Sequence, residues 1–410
     1  MRYFISFKNT FLLLFFLVIS CANGHQEKKE TVNIDKTPAK EAKIIVGANR
    51  TDQYLPLLKN KKVGVVANQT SVIFKDDGTY THLVDSLSNL NIDIKKIFSP
   101  EHGFRGKADA GELIEGNKDA KTGLEVVSLY GKHKKPAATQ LKDLDVMVFD
   151  IQDVGVRFYT YTSTLHLVME ACAENNIPLI ILDRPNPNAS YVDGPTLEIE
   201  HASFLGKVPI PLVYGLTIGE YGKMLNGEKW LANKVQCDIT VIPVKNYDHN
   251  SSYHLAIRPS PNLPNDQSIL LYPSLGLFEG TNINAGRGTE FQFQRYGAPW
   301  LDKNVFSFEY TPKPNFGSKA PKHDGVVCYG EDLSEVTPPK EVSMEWIIKA
   351  YQNSNDKSKF FKTAGFTLHA GNETLQKQIE AGKSNDEIRA SWKTDLESFK
   401  KIRKKYMIYD

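Results

Sequence analysis

The chain carries 410 residues, 41% of them hydrophobic, which is enough for two packed domains. Lys and Arg number 50 against 48 Asp and Glu; residues 1–20 hold two of the bases and none of the acids, so residues 21–410 are balanced at 48 against 48. A neutral body lacks the electrostatic footprint for nucleic acid, and four cysteines without C-x-x-C spacing exclude a disulfide scaffold and a thiolate metal centre.

Arg2 and Lys8 precede the apolar run Phe11 to Ile19, a basic segment and a hydrophobic segment too short for a comfortable membrane span. The run ends in "VISC", which resembles a bacterial lipobox. The expectation is a lipoprotein signal peptide over 1–20 and a mature chain lipidated at Cys21, with a plain signal peptide cut nearby as the alternative. Residues 21–42 are polar and free of aromatics, the composition of a disordered tether. Membrane contact is then expected only through the lipid, and Ala22 is compatible with outer-membrane sorting in a Gram-negative cell.

From residue 43, short apolar runs alternate with helical patterns. Strands are predicted within 61–69, 92–100, 143–153, 177–187 and 238–246, several nearly continuous and β-branched as in sheets buried on both faces. Helices are predicted from "YTSTLHLVMEACAENN", with Cys172 on its apolar side, and from "LTIGEYGKMLNGEKWL", where Thr217 and Glu220 have capping-box spacing. This alternation predicts a parallel-sheet, Rossmann-like α/β domain over 43–258. "RPSPNLPNDQS" reads as a linker, followed by a smaller α+β domain over 259–410. Its last helix opens on a second capping box, Ser384 and Glu387, and carries an apolar stripe of Ile388, Trp392, Leu396, Phe399, Ile402 and Tyr406 that fits packing rather than ligand binding. No repeat or heptad pattern fixes an oligomeric state.

Each predicted strand runs straight into polar residues: Asn68-Gln69, Glu101-His102, Asp150 with Gln152 and Asp153, and Asp183-Arg184 with Asn186. The carboxyl ends of strands in an open parallel sheet form its ligand-binding edge, so these groups are expected to converge. The nucleophile elbow, the H-E-x-x-H motif and the Walker A loop are all missing, and "GRGTEF" lacks the third glycine of a dinucleotide fingerprint. No cofactor and no metal are expected. What remains is carboxylate, amide, arginine and aromatic side chains, the equipment of a sugar site.

Glycoside cleavage needs a carboxylic acid that stays protonated near neutral pH, which an apolar setting can arrange. Glu101 suits that role, with Phe98, Pro100 and Phe104 as a prospective wall, and His102 as an orienting or proton-transfer group. Asp150 or Asp153 could supply a second carboxylate, although an aspartate there could equally cap a helix. Tyr159 and Tyr161, two apart, would share a face of an extended segment. Arg157 and Arg287 could each take a carboxylate, and Asn282, Glu279 and Glu290 lie around Arg287 on a second loop.

Taken together, "VVANQTSV", "FSPEHGFRG", "VFDIQDVGVRFYTYTSTL", "LDRPNPN", "PSPNLPN" and "YPSLGLFEGTNINAGRGTEFQF", with the tail "IRASWKTDLESFKKIRKKYMIYD", resemble the exo-acting β-N-acetylmuramidases. These were long catalogued as a domain of unknown function, and the resemblance covers residues 45 to 410. It implies release of terminal N-acetylmuramic acid from the non-reducing ends of peptidoglycan-derived saccharides, in a cleft between two domains. By matching motif it makes Glu101 the leading acid. It sets His102, Arg105, Asp150, Gln152, Asp153 and Arg157 around the cleft, with Asn282, Arg287 and Glu290 from the second domain. Asn68 and Gln69, by their place at a strand end, and Tyr159 and Tyr161, by their spacing, are expected to bind substrate. The lactyl carboxylate that distinguishes muramic acid from glucosamine calls for a cation, and Arg105, Arg157 and Arg287 are the candidates. Two rivals stand beside this reading: a non-catalytic lipoprotein that captures wall fragments, and a metal-dependent hydrolase built on His102, Asp109 and Glu112.

Overall fold

Strand β1 (Val63–Ala67) is followed by a hairpin of β2 (Val72–Phe74) and β3 (Tyr80–His82). Then come β4 (Ile94–Ser99), β5 (Glu125–Ser128), β6 (Val146–Asp150), β7 (Leu179–Leu182) and β8 (Ile239–Ile242). Apart from the hairpin they form one sheet in the order β5-β4-β1-β6-β7-β8, every neighbour parallel. The chain builds outward from β1 to β5, then returns to β6 and builds the other way. That is the Rossmann order, with its switch point between β1 and β6. Five of these strands lie in the predicted segments; β5, a four-residue edge strand with Glu125 and Ser128 exposed, does not. The computed structural model describes residues 42–106 and 118–410. The expected signal peptide, Cys21, the tether up to residue 41, Asp109 and Glu112 lie outside the described residues.

Alternation along the strands sorts the core onto two faces. Val63, Val65, Ala67, Ile97, Val148, Ile180 and Leu182 pack with α1 (Thr51–Leu58) and α2 (Leu83–Asn89). The short α3 (Ala138–Leu141) precedes β6. Val66, Phe98, Met147, Phe149, Leu179 and Ile181 pack with α4 (Tyr161–Glu174) and α5 (Ile218–Gly227), Cys172 among them. The Thr217–Glu220 capping box forms as predicted.

The second core face does not stop at residue 258. It continues through α6 (Asp266–Leu275) and the 3-10 turn Gly276–Gly280 into the three-stranded antiparallel sheet of β9 (Arg295–Ala298), β10 (Phe308–Tyr310) and β11 (Cys328–Asp332). Four helices close the chain: α7 (Glu345–Gln352), α8 (Thr363–Ala370), α9 (Thr374–Glu380) and α10 (Asn385–Lys404). Ser384 and Glu387 form the second capping box, and Ile388, Trp392, Leu396 and Phe399 of the stripe are buried. By contact, Lys43–Asp410 is a single compact unit.

The Pro/Asn-rich segment differs from its expected role as a linker. Pro259 to Leu263 are buried, Pro259 O accepts from Tyr159 Oη at 2.7 Å, and Asn262 Nδ2 donates to Gly317 O at 2.6 Å. Prolines offer no N–H to leave unpaired, and the asparagine amide supplies a hydrogen bond where a buried carbonyl needs one. The segment is a strap laid under the sheet edge.

Candidate active site

The polar strand ends converge as predicted, and mainly by bonding one another. Asn68 Oδ1, just past β1, accepts from Thr70 N and Oγ1, and Thr70 Oγ1 in turn accepts from Gln152 N at 3.0 Å. Ser71 Oγ donates to Asp150 O. Asn68 Nδ2 donates to Tyr161 Oη at 2.9 Å, and Gln69 Nε2 reaches Arg258 O and Pro259 O on the strap. Gln152 Nε2 is taken by Asp153 O and Pro185 O. These amides hold the loops of the switch point in place.

Glu101 sits directly after β4 and is half-buried. Thr160 Oγ1 donates to Glu101 Oε2 at 3.2 Å. Tyr130 also bonds it; burial first, then the charge and hydrogen bond of Glu101, push that phenol well up. The carboxyl lines a pocket of about 550 Å³ with Tyr130, Lys134, Thr160, Phe204, Leu205 and Leu368. The apolar wall therefore comes from Phe204, Leu205 and Leu368. Phe98 and Phe104, the wall expected from sequence, face elsewhere: Phe98 is in the sheet core, and Phe104 stacks edge-on against His82, 4.8 Å between centroids, beneath Arg105. His102 is buried with a left-handed φ of 70°, followed by Gly103 at 77°, and its Nε2 lies 3.3 Å from Ser260 Oγ on the strap. Backbone held in that sparsely populated region is a feature that clusters at active sites.

Several expected ligands turn out to be framework. Asp150 is wholly buried against Arg184, Oδ1 to Nε 2.6 Å and Oδ2 to Nη2 2.9 Å, which joins the ends of β6 and β7. Asp153 is buried too; its Oδ2 accepts from Gly155 N at 2.7 Å and from Tyr214 Oη, and burial pushes the carboxyl up to about 6 against those bonds. The Arg157 guanidinium, expected at a substrate carboxylate, instead donates to four backbone carbonyls, Pro195, Ile210, His369 and Ala370, at 2.7–3.0 Å. Burial draws it down to about 9. Arg105 holds Asp119 bidentately at 3.1 and 2.8 Å and Asp85 at 3.0 Å. Tyr159 and Tyr161 do meet, 4.8 Å between centroids, but across the start of α4 rather than along an extended segment, and both rings are buried.

On the opposite loop, Asn282 is held by Phe360 O and Lys359 O, and Glu290 is exposed. Arg287 Nε donates to Glu279 Oε1 at 3.1 Å, and the pair is 24% and 22% exposed. Burial alone would raise the Glu279 carboxyl, but Arg287, then Lys322 and His369, bring it to about 2. The Arg287 guanidinium lies over Phe293, whose ring is 4.7 Å from that of Tyr272, and Tyr272 is 6.1 Å from Tyr159, so ring contacts join the Arg287 loop to the start of α4, where Thr160 bonds Glu101. Tyr130, Thr160, Lys134, Phe204 and Tyr272 escaped the sequence reading. Thr160 stood inside a quoted motif, whereas Tyr130 follows the edge strand that went unpredicted. Among the described residues, the cluster with metal-ligand spacing is Glu198, Glu200 and His201, and none of these is a predicted site residue.

The chain is similar to known proteins along almost its whole length. The family model described as exo-beta-N-acetylmuramidase NamZ, N-terminal, matches residues 63–267, and its C-terminal counterpart matches 270–409. The peptidoglycan beta-N-acetylmuramidase NamZ of Bacillus subtilis is 36% identical over 97% of each chain. Two crystal structures of DUF1343 family proteins from Bacteroides fragilis share the fold. One is 43% identical with a TM-score of 0.82, the other 28% with 0.74, and each covers 90% of this chain and 99% of its own. With both halves of the family matched in order, the chain belongs to the NamZ family of exo-β-N-acetylmuramidases.

Proposed function

We propose that the protein is a glycoside hydrolase that removes terminal N-acetylmuramic acid from the non-reducing end of peptidoglycan fragments, in cell-wall turnover and recycling. Beside the family membership, the observation that carries the reading is Glu101. It is a half-buried carboxyl at the carboxyl end of β4, next to the switch point, bonded by Thr160 and Tyr130, on a pocket of about 550 Å³ with an apolar wall. In this reading Glu101 protonates the leaving glycosidic oxygen, and the amides and buried ion pairs around it fix the loops so that the acid meets one bond.

Two disaccharides test the direction of cleavage. MurNAc-GlcNAc should be split and GlcNAc-MurNAc left intact, as followed by chromatography of the products. Cleavage of the second, or of neither, refutes the exo-muramidase reading. Binding without cleavage of either returns the alternative, a lipoprotein that captures muropeptides.

The "VISC" segment supports a second proposal, that the mature protein is a cell-envelope lipoprotein anchored through Cys21 and facing the periplasm or the surface of a Gram-negative outer membrane. Cys21→Ser should shift the protein from the membrane fraction to the soluble one and abolish labelling by a clickable palmitate. Persistence of either signal overturns the anchor.

A further inference from the structure

We infer that Arg287 is the residue that reads the lactyl carboxylate of muramic acid and so sets the preference for muramic acid over glucosamine; the inference rests on the proposed function. The other sequence candidates are already committed. Arg157 gives its guanidinium to four backbone carbonyls, and Arg105 is saturated by Asp85 and Asp119. Lys322 is committed as well, its amine donating to Phe278 O, Glu279 O and Ile283 O at 2.9–3.3 Å.

Arg287 is different. Among the described residues, the one hydrogen bond its side chain donates is from Nε to Glu279, which leaves the Nη edge of the fork for a ligand. Its backbone is fixed to a degree that ordinary surface loops are not. Gly286 and Gly288 flank it at φ 79° and 78°, where side-chain-bearing residues are strained. A Cβ on Gly286 would come 2.4 Å from Phe291 O, and one on Gly288 2.7 Å from Pro321. Asn284 Nδ2 holds Arg287 O at 3.0 Å, and the guanidinium lies over the Phe293 ring, 5.2 Å from its centroid.

Glu279 completes the device. It spends the Nε side of the fork and orients the remaining edge, as a carboxylate partner does for a bidentate arginine. The lactyl group leaves the sugar at C3, two ring carbons from the anomeric centre, so the cation that reads it belongs within one sugar ring of the general acid. The contacts of Phe293 with Tyr272 and of Tyr272 with Tyr159 bring the Arg287 loop to the start of α4, beside Thr160 and the general acid it bonds. The neutral analogue would leave the Nη donors desolvated and unpaired, a larger penalty than the loss of a contact. Lys134 is the cation on the lining of the Glu101 pocket itself. It is a flexible point charge over the Phe204 ring, 4.6 Å from its centroid, without a fork to read a carboxylate.

The test uses the full chain with two ligands, N-acetylmuramic acid and its lactyl amide, each as an aryl β-glycoside for turnover and as the free sugar for calorimetry. Wild type should favour the acid over the amide in kcat/KM on the order of 100-fold, with a matching preference in Kd. Arg287→Gln should bring both ratios towards one, chiefly through KM. The double variant Glu279→Gln/Arg287→Gln should do the same without leaving a carboxylate orphaned, and so guards against misfolding of the single variant. Retention of the preference in a folded variant, or its loss in Lys134→Met instead, overturns the assignment. Wild type that binds with the preference but turns over neither glycoside defeats the proposed function while Arg287 keeps its role.

Discussion

Glu101→Gln should lower kcat on MurNAc-GlcNAc by roughly 10²–10⁴-fold while KM and the thermal midpoint change little. The amide keeps the shape of the side chain and can still accept from Thr160 and Tyr130, so the local fold has no reason to move. What it lacks is a proton to give. A general acid matters most when the departing alkoxide is a poor leaving group, so the deficit should shrink sharply for an aryl glycoside whose phenolate departs without help. That contrast separates acid catalysis from a mere binding role. Equal losses on the disaccharide and on a nitrophenyl glycoside, or no loss at all, would take the acid's role away from Glu101.

Arg157→Met should cost about 4 kcal/mol of stability or more, which places it among the rare severe substitutions. The methionine fills part of the volume but donates nothing to Pro195 O, Ile210 O and Ala370 O, where the bonds are buried, or to His369 O, where the bond is partly so. Two of those carbonyls end α8, where orphan acceptors need a partner in any case. The chain makes room for the guanidinium with glycines. A Cβ on Gly371, itself at φ 84°, would lie 2.6 Å from Arg157 Nη2, and one on Gly206 would lie 2.9 Å from its Cδ. Denaturant midpoints read the effect; a loss below about 1 kcal/mol would mean the carbonyls find other donors or water at little cost.

The sheet was legible because its information is local. Apolar runs buried on two faces identify β1, β4, β6, β7 and β8, and their polar exits mark the ligand edge. β5 escaped because an edge strand of four residues with two exposed carries too little pattern, and β9 to β11 (RYGA, FEY and CYGED) are broken by charge or glycine and hold no continuous apolar run. The site was legible in location and less so in role. A charged residue at a strand exit looks the same whether it faces a ligand or a buried partner. The partner of Asp150 is 34 residues away, and those of Arg157 are 38 to 213 residues away, beyond the reach of any local motif. The strap over 259–263 misled for the same reason: composition reports a preference for turns, not whether a carbonyl is met by a tyrosine 100 positions earlier.

The Arg157 contacts also bear on how such genes can recombine. The two family models meet near residue 268, a seam that invites the view of two interchangeable cassettes. Yet the arginine lies on one side of the seam and two of its four acceptors on the other. A chimera that exchanges the C-terminal half between relatives would have to bring an α8 terminus shaped for that particular guanidinium, with a glycine at the equivalent of Gly371. Otherwise the Nη2 end of a buried cation would be left with nothing to receive its protons. Crossovers at the seam are thus filtered by one side chain, and the halves are expected to travel through evolution as a pair.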